Sequence, residues 1–285
     1  MSRTNTMLRG FGSPVLNSAS FEQPARWDQL AMAKSEAKAT SMSIEGTIWA
    51  TGLMLAAAFV TGSITYGLFQ SNPGVGMPVT IGAALLGLVL AFVIVFKKAL
   101  APVLGIPYAI VEGVMLGGVS LMYASYAGSI GAEEAASSID AAVAGADTSI
   151  VYQAMALTFG IAGGLLVAYS FRIIRVSNMF IKGVAAVTIG YLGIVLITWL
   201  LSMFTPLPSV HGVMFSGGPL GIALAAFVPL LAAANLLVDF RLIEDVSKQG
   251  APKYMNWFMG FGVVVTMVWL YLSILRLLAV LRGSE

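Results

Sequence analysis

The chain has 285 residues, 58% of them hydrophobic and only 10% charged, with a mean hydropathy of +0.90. A soluble domain carries roughly 25% charged residues, so the composition excludes one and describes an integral membrane protein. The absence of Cys excludes a disulfide framework, a thiolate metal site and a cysteine nucleophile, and a lone His, His211, supplies too few ligands for a zinc or haem centre.

Residues 1–46 mix Arg, Glu, Ser and Gln and lack the apolar segment of a signal peptide, which predicts a polar tail rather than a cleaved leader. Its end, "SMSIEGTIWATG", reads as a surface helix feeding the first span. A bilayer core of about 30 Å needs about 20 apolar residues per helix. Seven runs of that length follow, at 48–69, 77–96, 102–127, 150–171, 183–204, 218–243 and 255–279. Lys97 and Lys98 separate the second from the third, and Pro102 and Pro107 suit a tight turn with a new helix start, so these two runs form a hairpin. Small residues are dense in "GAALLGLVLA", "GIAGGLLVA" and "GFG", which predicts close helix approach and a tight bundle without a large aqueous vestibule.

Basic residues orient the chain. The tail carries Arg3, Arg9, Arg26, Lys34 and Lys38, and alternate loops carry Lys97 and Lys98, then Arg172, Arg175 and Lys182, then Arg241, Lys248 and Lys253. The intervening loops 70–76, 128–149 and 205–217 have none, and 128–149 holds Glu133, Glu134, Asp140 and Asp147. The positive-inside rule then predicts a cytoplasmic N-terminus and, with seven spans, a C-terminus outside, where Arg276 and Arg282 can snorkel to head groups. The sequence therefore describes an all-α membrane protein with a tail over 1–46 and a seven-helix bundle over 47–282.

An ionisable group inside a span costs about 2.5 to 3.5 kcal/mol on insertion scales and marks a functional site by default. Two carboxylates qualify: Glu112 in "YAIVEGVMLGG", near the middle of the third span, and Asp239 near the cytoplasmic end of the sixth. Each can belong to a titratable cation or proton path. Structural roles stand beside these: Glu112 as a protonated carboxyl bonded to a neighbouring helix, Asp239 as an interfacial group paired with Arg241 or Lys98. Glu244 lies about 140° around the helix from Asp239, so Asp239, Glu244 and Asp245 form no ready-made cage. Together they still make this mouth acidic, which suits a hard cation such as Ca²⁺.

Other chemistries lack their residues. A retinal protein needs a Lys in its last helix, and 255–279 has none. An intramembrane serine protease needs a Ser and His facing each other, whereas His211, Ser209 and Ser216 fall in one loop, and "GVGMPVT" is no phosphate loop. No enzyme and no resident cofactor is expected.

The stretch "NLLVDFRLIED", the short basic loop "SKQGAPKYMNW" and the closing "VWLYLSILRLLAVL" resemble the Bax inhibitor-1 superfamily, also called the transmembrane BAX inhibitor motif family, and within it the bacterial branch. "MSIEGTIWATG", "IPYAIVEGVMLGGVS", "QAMALTFG" and "FSGGPLGIALAAF" add to the resemblance, which covers most of 42–282. It implies a seven-helix bundle with a central last helix in a bacterial plasma (inner) membrane, and a pH-sensitive passive Ca²⁺ leak with Ca²⁺ as the transported ion. It also implies a gate in which an Asp of the sixth helix shares a proton with an Asp of the seventh. Asp239 matches the first. For the second, aligning "LYLS" gives Ser273, too far in depth, and aligning the closing residues gives Thr266, which is preferred on geometry. Either way a hydroxyl replaces a carboxylate. Lys97 or Lys98 matches a basic residue that the family carries at this end of the second helix, with Lys98 the expected competing counter-ion. Glu112, Glu244 and Asp245 complete the cation-binding candidates. The alternative is a non-conducting regulatory protein that binds a membrane partner, such as a membrane-anchored AAA protease, through its tail.

Overall fold

The computed structural model describes residues 41–129, 143–202 and 219–283. The basic residues of the tail, the acidic residues Glu133, Glu134 and Asp140, and the loop residues Ser209, His211 and Ser216 lie outside them. Met42–Glu285 form one unit. Its helices are α1 (Ile44–Ser71), α2 (Pro73–Phe96), α3 (Ala101–Ser129), α4 (Ser149–Ser170), α5 (Asn178–Ser202), α6 (Pro219–Lys248) and α7 (Met255–Arg282). Among the described residues, seven helices are long and apolar enough to cross a membrane.

Each boundary has a local cause. Ser43 caps α1 by accepting from the Gly46 amide at 3.0 Å, with Glu45 in the first turn where the helix dipole favours an acid. The "SMSIEG" segment is therefore the first turn of the first span itself, not a separate surface helix. Pro73 starts α2, where its missing N–H costs nothing. Lys98–Leu100 make a short 3-10 turn between α2 and α3, which gives the expected hairpin. Pro229 stands inside α6, where the ring removes a backbone hydrogen bond.

The closest packing is between α1 and α3. Gly117 places its Cα so close to α1 that a Cβ there would lie 2.5 Å from the Gly62 carbonyl, and Gly62 in turn faces the Gly113 carbonyl. The α3 glycines therefore bring its backbone against the α1 backbone and the Thr61 and Thr65 side chains, where a Cβ would clash. Gly260 of "GFG" lets α7 approach Thr51 of α1 in the same way. The glycines of "GIAGG" behave differently: Gly160, Gly163 and Gly164 face open space. Close approach is thus carried by "EGVMLGG" and "GFG", and not by the α4 glycines that the sequence also suggested.

Helix α7 packs against α1, α3, α4 and α6 and is the centre of the bundle, while α5 packs chiefly on α6. Buried Val264, Val268, Leu270, Ile274 and Leu275 fill the space around α7. Polar bonds close both ends of the bundle. At the end that holds Lys97, Lys98, Lys248 and Lys253 (the basic end), the Met42 amide donates to the Ala251 carbonyl at 2.6 Å and the Ser43 amide to Asn256 Oδ1 at 3.0 Å. At the opposite end Arg282 pairs with Asp147 and donates to Ser149 Oγ at 2.8 Å.

Candidate functional site

Asp239 lies nine residues before the end of α6, on the face turned to α7. Thr266 of α7 is buried and donates its hydroxyl to Asp239 Oδ2 at 2.6 Å. The same Thr266 oxygen lies 3.2 Å from the Gly262 carbonyl of its own helix, so its single proton has two acceptors within reach. Ser273, the other position suggested by alignment, donates within α7 to Trp269 and Leu270 carbonyls at 2.7 and 2.9 Å. The structure thus brings together Asp239 and Thr266.

Lys98 is exposed, and its ammonium stands 5.1 Å from the centre of the Phe258 ring at the start of α7, a cation–π contact. Arg241 donates Nε to Asp245 Oδ2 at 2.8 Å, one turn along α6. The carboxylate partner of Arg241 is therefore Asp245 and the polar partner of Asp239 is a hydroxyl. Glu244 accepts from Lys248 on α6 and from the Tyr169 hydroxyl at the end of α4. Glu244 thus joins α6 to α4 through Tyr169, while Asp245 pairs within α6.

Glu112 is buried in α3, and its polar neighbour is Tyr108, one turn earlier on the same helix. Its carboxylate packs against α2 at Gly87, where a Cβ would lie 3.1 Å from Oε2. The Tyr108 ring meets Phe261 of α7 edge-on, with centroids 4.9 Å apart. Among the described residues, no group of three or more His, Asp or Glu is placed to hold a metal ion.

Two site residues were not singled out from sequence. Tyr108 stands four residues before Glu112, a spacing that puts both on one helix face and was open to reading. Tyr169 carried no such signal, because its partner Glu244 is 75 positions away.

No curated protein and no solved structure matches the chain. A family model described as Bax inhibitor 1 like matches residues 16–283, which takes in all seven helices together with the Asp239 and Thr266 pair. By that match the chain belongs to the Bax inhibitor 1 like family.

Proposed function

We propose that the bundle is a passive leak for Ca²⁺ or another cation, gated by protonation of Asp239, in a bacterial plasma (inner) membrane with the basic end facing the cytoplasm. The observation that carries this reading is the hydrogen bond between Asp239 and Thr266, which joins α6 to the central helix inside the span. When Asp239 is protonated, its O–H donates to Thr266 Oγ1 and the Thr266 proton turns to the Gly262 carbonyl of its own helix, so one neutral bond crosses the α6–α7 contact and a second runs within α7. When Asp239 is ionised, the Thr266 proton returns to Oδ2, so one bond still crosses but an unneutralised charge now lies in a low-dielectric contact. Ionisation therefore favours separation of the helices and hydration of the carboxylate, and flux rises with pH. Glu112 is the deeper carboxylate on this reading, and Lys98, held on Phe258 at the start of α7, is the competing cation at the mouth.

Reconstituted protein tests this directly. Ca²⁺ flux into proteoliposomes is expected to rise from mildly acidic to mildly alkaline pH, and Asp239→Asn is expected to abolish that rise. Flux and pH response unchanged in Asp239→Asn would remove Asp239 from the gate.

A second reading has an observation of its own. Glu244 and Asp245 are engaged by Tyr169, Lys248 and Arg241, so the acids of the mouth carry partners of their own and one of them ties α4 to α6. This favours a non-conducting regulator that binds a membrane partner, such as a membrane-anchored protease. Folded protein that gives no flux above empty liposomes, together with a partner recovered from native membranes, would establish it.

A further inference from the structure

A cavity of about 210 Å³ lies between α1 and α4, with α3 and α7 behind it. Helices α1 and α4 each pack on α3 and α7 but scarcely on each other, which leaves the gap. Half-buried Leu116 of α3 and buried Met267 and Val268 of α7 form its floor. Phe59, Tyr152 and Phe159 stand at its rim and belong equally to the exposed apolar surface of the bundle. The cavity is therefore continuous with the surface that meets the bilayer.

Its walls also carry hydroxyls, which would suggest water. Most are already committed. Ser63 donates to the Phe59 carbonyl at 2.8 Å, Thr158 to the Ala154 carbonyl at 2.7 Å, and Tyr66 to Thr148 at 3.2 Å. Ser120 and Tyr271 bond each other at 2.7 Å. A buried water needs two to four polar partners, and these walls present methyl, ring and methylene groups instead. An apolar cavity of roughly 150 Å³ is enough to stay dry and bind a molecule the size of benzene.

We infer that this gap is a lipid site, in which one acyl chain of a bilayer phospholipid enters between α1 and α4 and lies against Leu116, Met267 and Val268. The polar end fits the same occupant. Tyr66, Thr148 and Tyr152 lie toward the Asp147 end of the bundle, the depth at which tyrosines meet head groups. Arg282 stands beside them on Asp147 and Ser149, within the layer where a lipid phosphate lies.

The test uses the full chain in liposomes doped with a phospholipid that carries a diazirine midway along one acyl chain. After illumination, adducts are mapped by mass spectrometry. Adducts are expected on Met267, Val268 or Leu116, in addition to the exposed Leu85 and Leu88 of α2, which report ordinary lipid contact. Ser63→Trp fills the gap from α1 and is expected to remove the floor adducts while those on α2 remain. Should that variant fail to insert, shown by loss of the α2 adducts, Met155→Trp blocks the same gap from α4 and reads the same loss. Wild-type labelling confined to α2, floor adducts that persist in an inserted blocked variant, or labelling of the floor by a water-soluble carbene in place of the lipid probe would each overturn the inference. The readout is occupancy and does not depend on ion flux.

Discussion

Asp239 and Glu112 are both carboxylates inside apolar spans, and they are held in opposite ways. Asp239 bonds across helices to Thr266, whereas Glu112 has Tyr108 of its own helix as its polar neighbour and rests on Gly87 of α2. A change of protonation at Asp239 alters a contact between two helices. A change at Glu112 acts on its own turn of α3 and on packing against the α2 backbone at Gly87, with no interhelical side-chain bond to make or break among the described residues. The helix that supplies the partner, more than depth in the bilayer, decides which acid can move the bundle.

Four substitutions break or sharpen this contrast, in descending order of effect. Thr266→Asp places a second carboxylate against Asp239, and like charges that close titrate as a coupled pair. The pH profile of flux is expected to split into two steps, and a single step would show that the two groups do not share a proton. Gly87→Val puts branched bulk where a Cβ already meets Glu112 Oε2. Overpacking of this kind costs about 1 to 3 kcal/mol, read as a lower melting temperature in detergent with the pH profile of flux unchanged.

Thr266→Val keeps the shape of the side chain and removes the hydroxyl. Hydrogen bonds between membrane helices contribute about 0.6 kcal/mol on average and up to about 1.7, so a modest loss in melting temperature is expected, with flux raised most at acidic pH where the bundle is otherwise closed. Equal flux at acidic pH in wild type and variant would show that this bond does not close the helices. Tyr108→Phe removes the hydroxyl that neighbours Glu112 but keeps the ring against Phe261. Its effect on melting is expected below about 0.6 kcal/mol, because the hydroxyl and carboxylate lie on one helix and join no two. A larger loss would place Glu112 in the tertiary framework after all.

The spans were legible because each is a continuous apolar run, and length against bilayer thickness is a one-dimensional property of sequence. Packing was less so. Both α5 and α7 are apolar enough to cross a membrane, yet 61% of the α7 window is buried and only 6% of the α5 window. Lipid is as apolar as a helix neighbour, so hydropathy alone cannot separate the two. The glycines show the same limit: Gly113 and Gly117 of α3 meet α1, Gly118 meets α2, and those of α4 meet open space, and composition does not distinguish them. The Asp239 and Thr266 pairing came from a resemblance joined to helical rise, which matched the two in depth. The partners of Glu244 depended on the meeting of α4 with α6, which no local pattern encodes.

The polar bonds at the two ends of the bundle bear on how the α6–α7 contact can part. Helix α7 is tied at its start through Asn256 to Ser43, at its finish through Arg282 to Asp147 and Ser149, and along its length to four other helices. It is a fixed post. Pro229 leaves α6 a weak point ten residues before Asp239, an arm of about 15 Å at 1.5 Å per residue. On the proposed gate, a swing about Pro229 would carry Asp239 away from Thr266, with Glu244 drawing the end of α4 along through Tyr169.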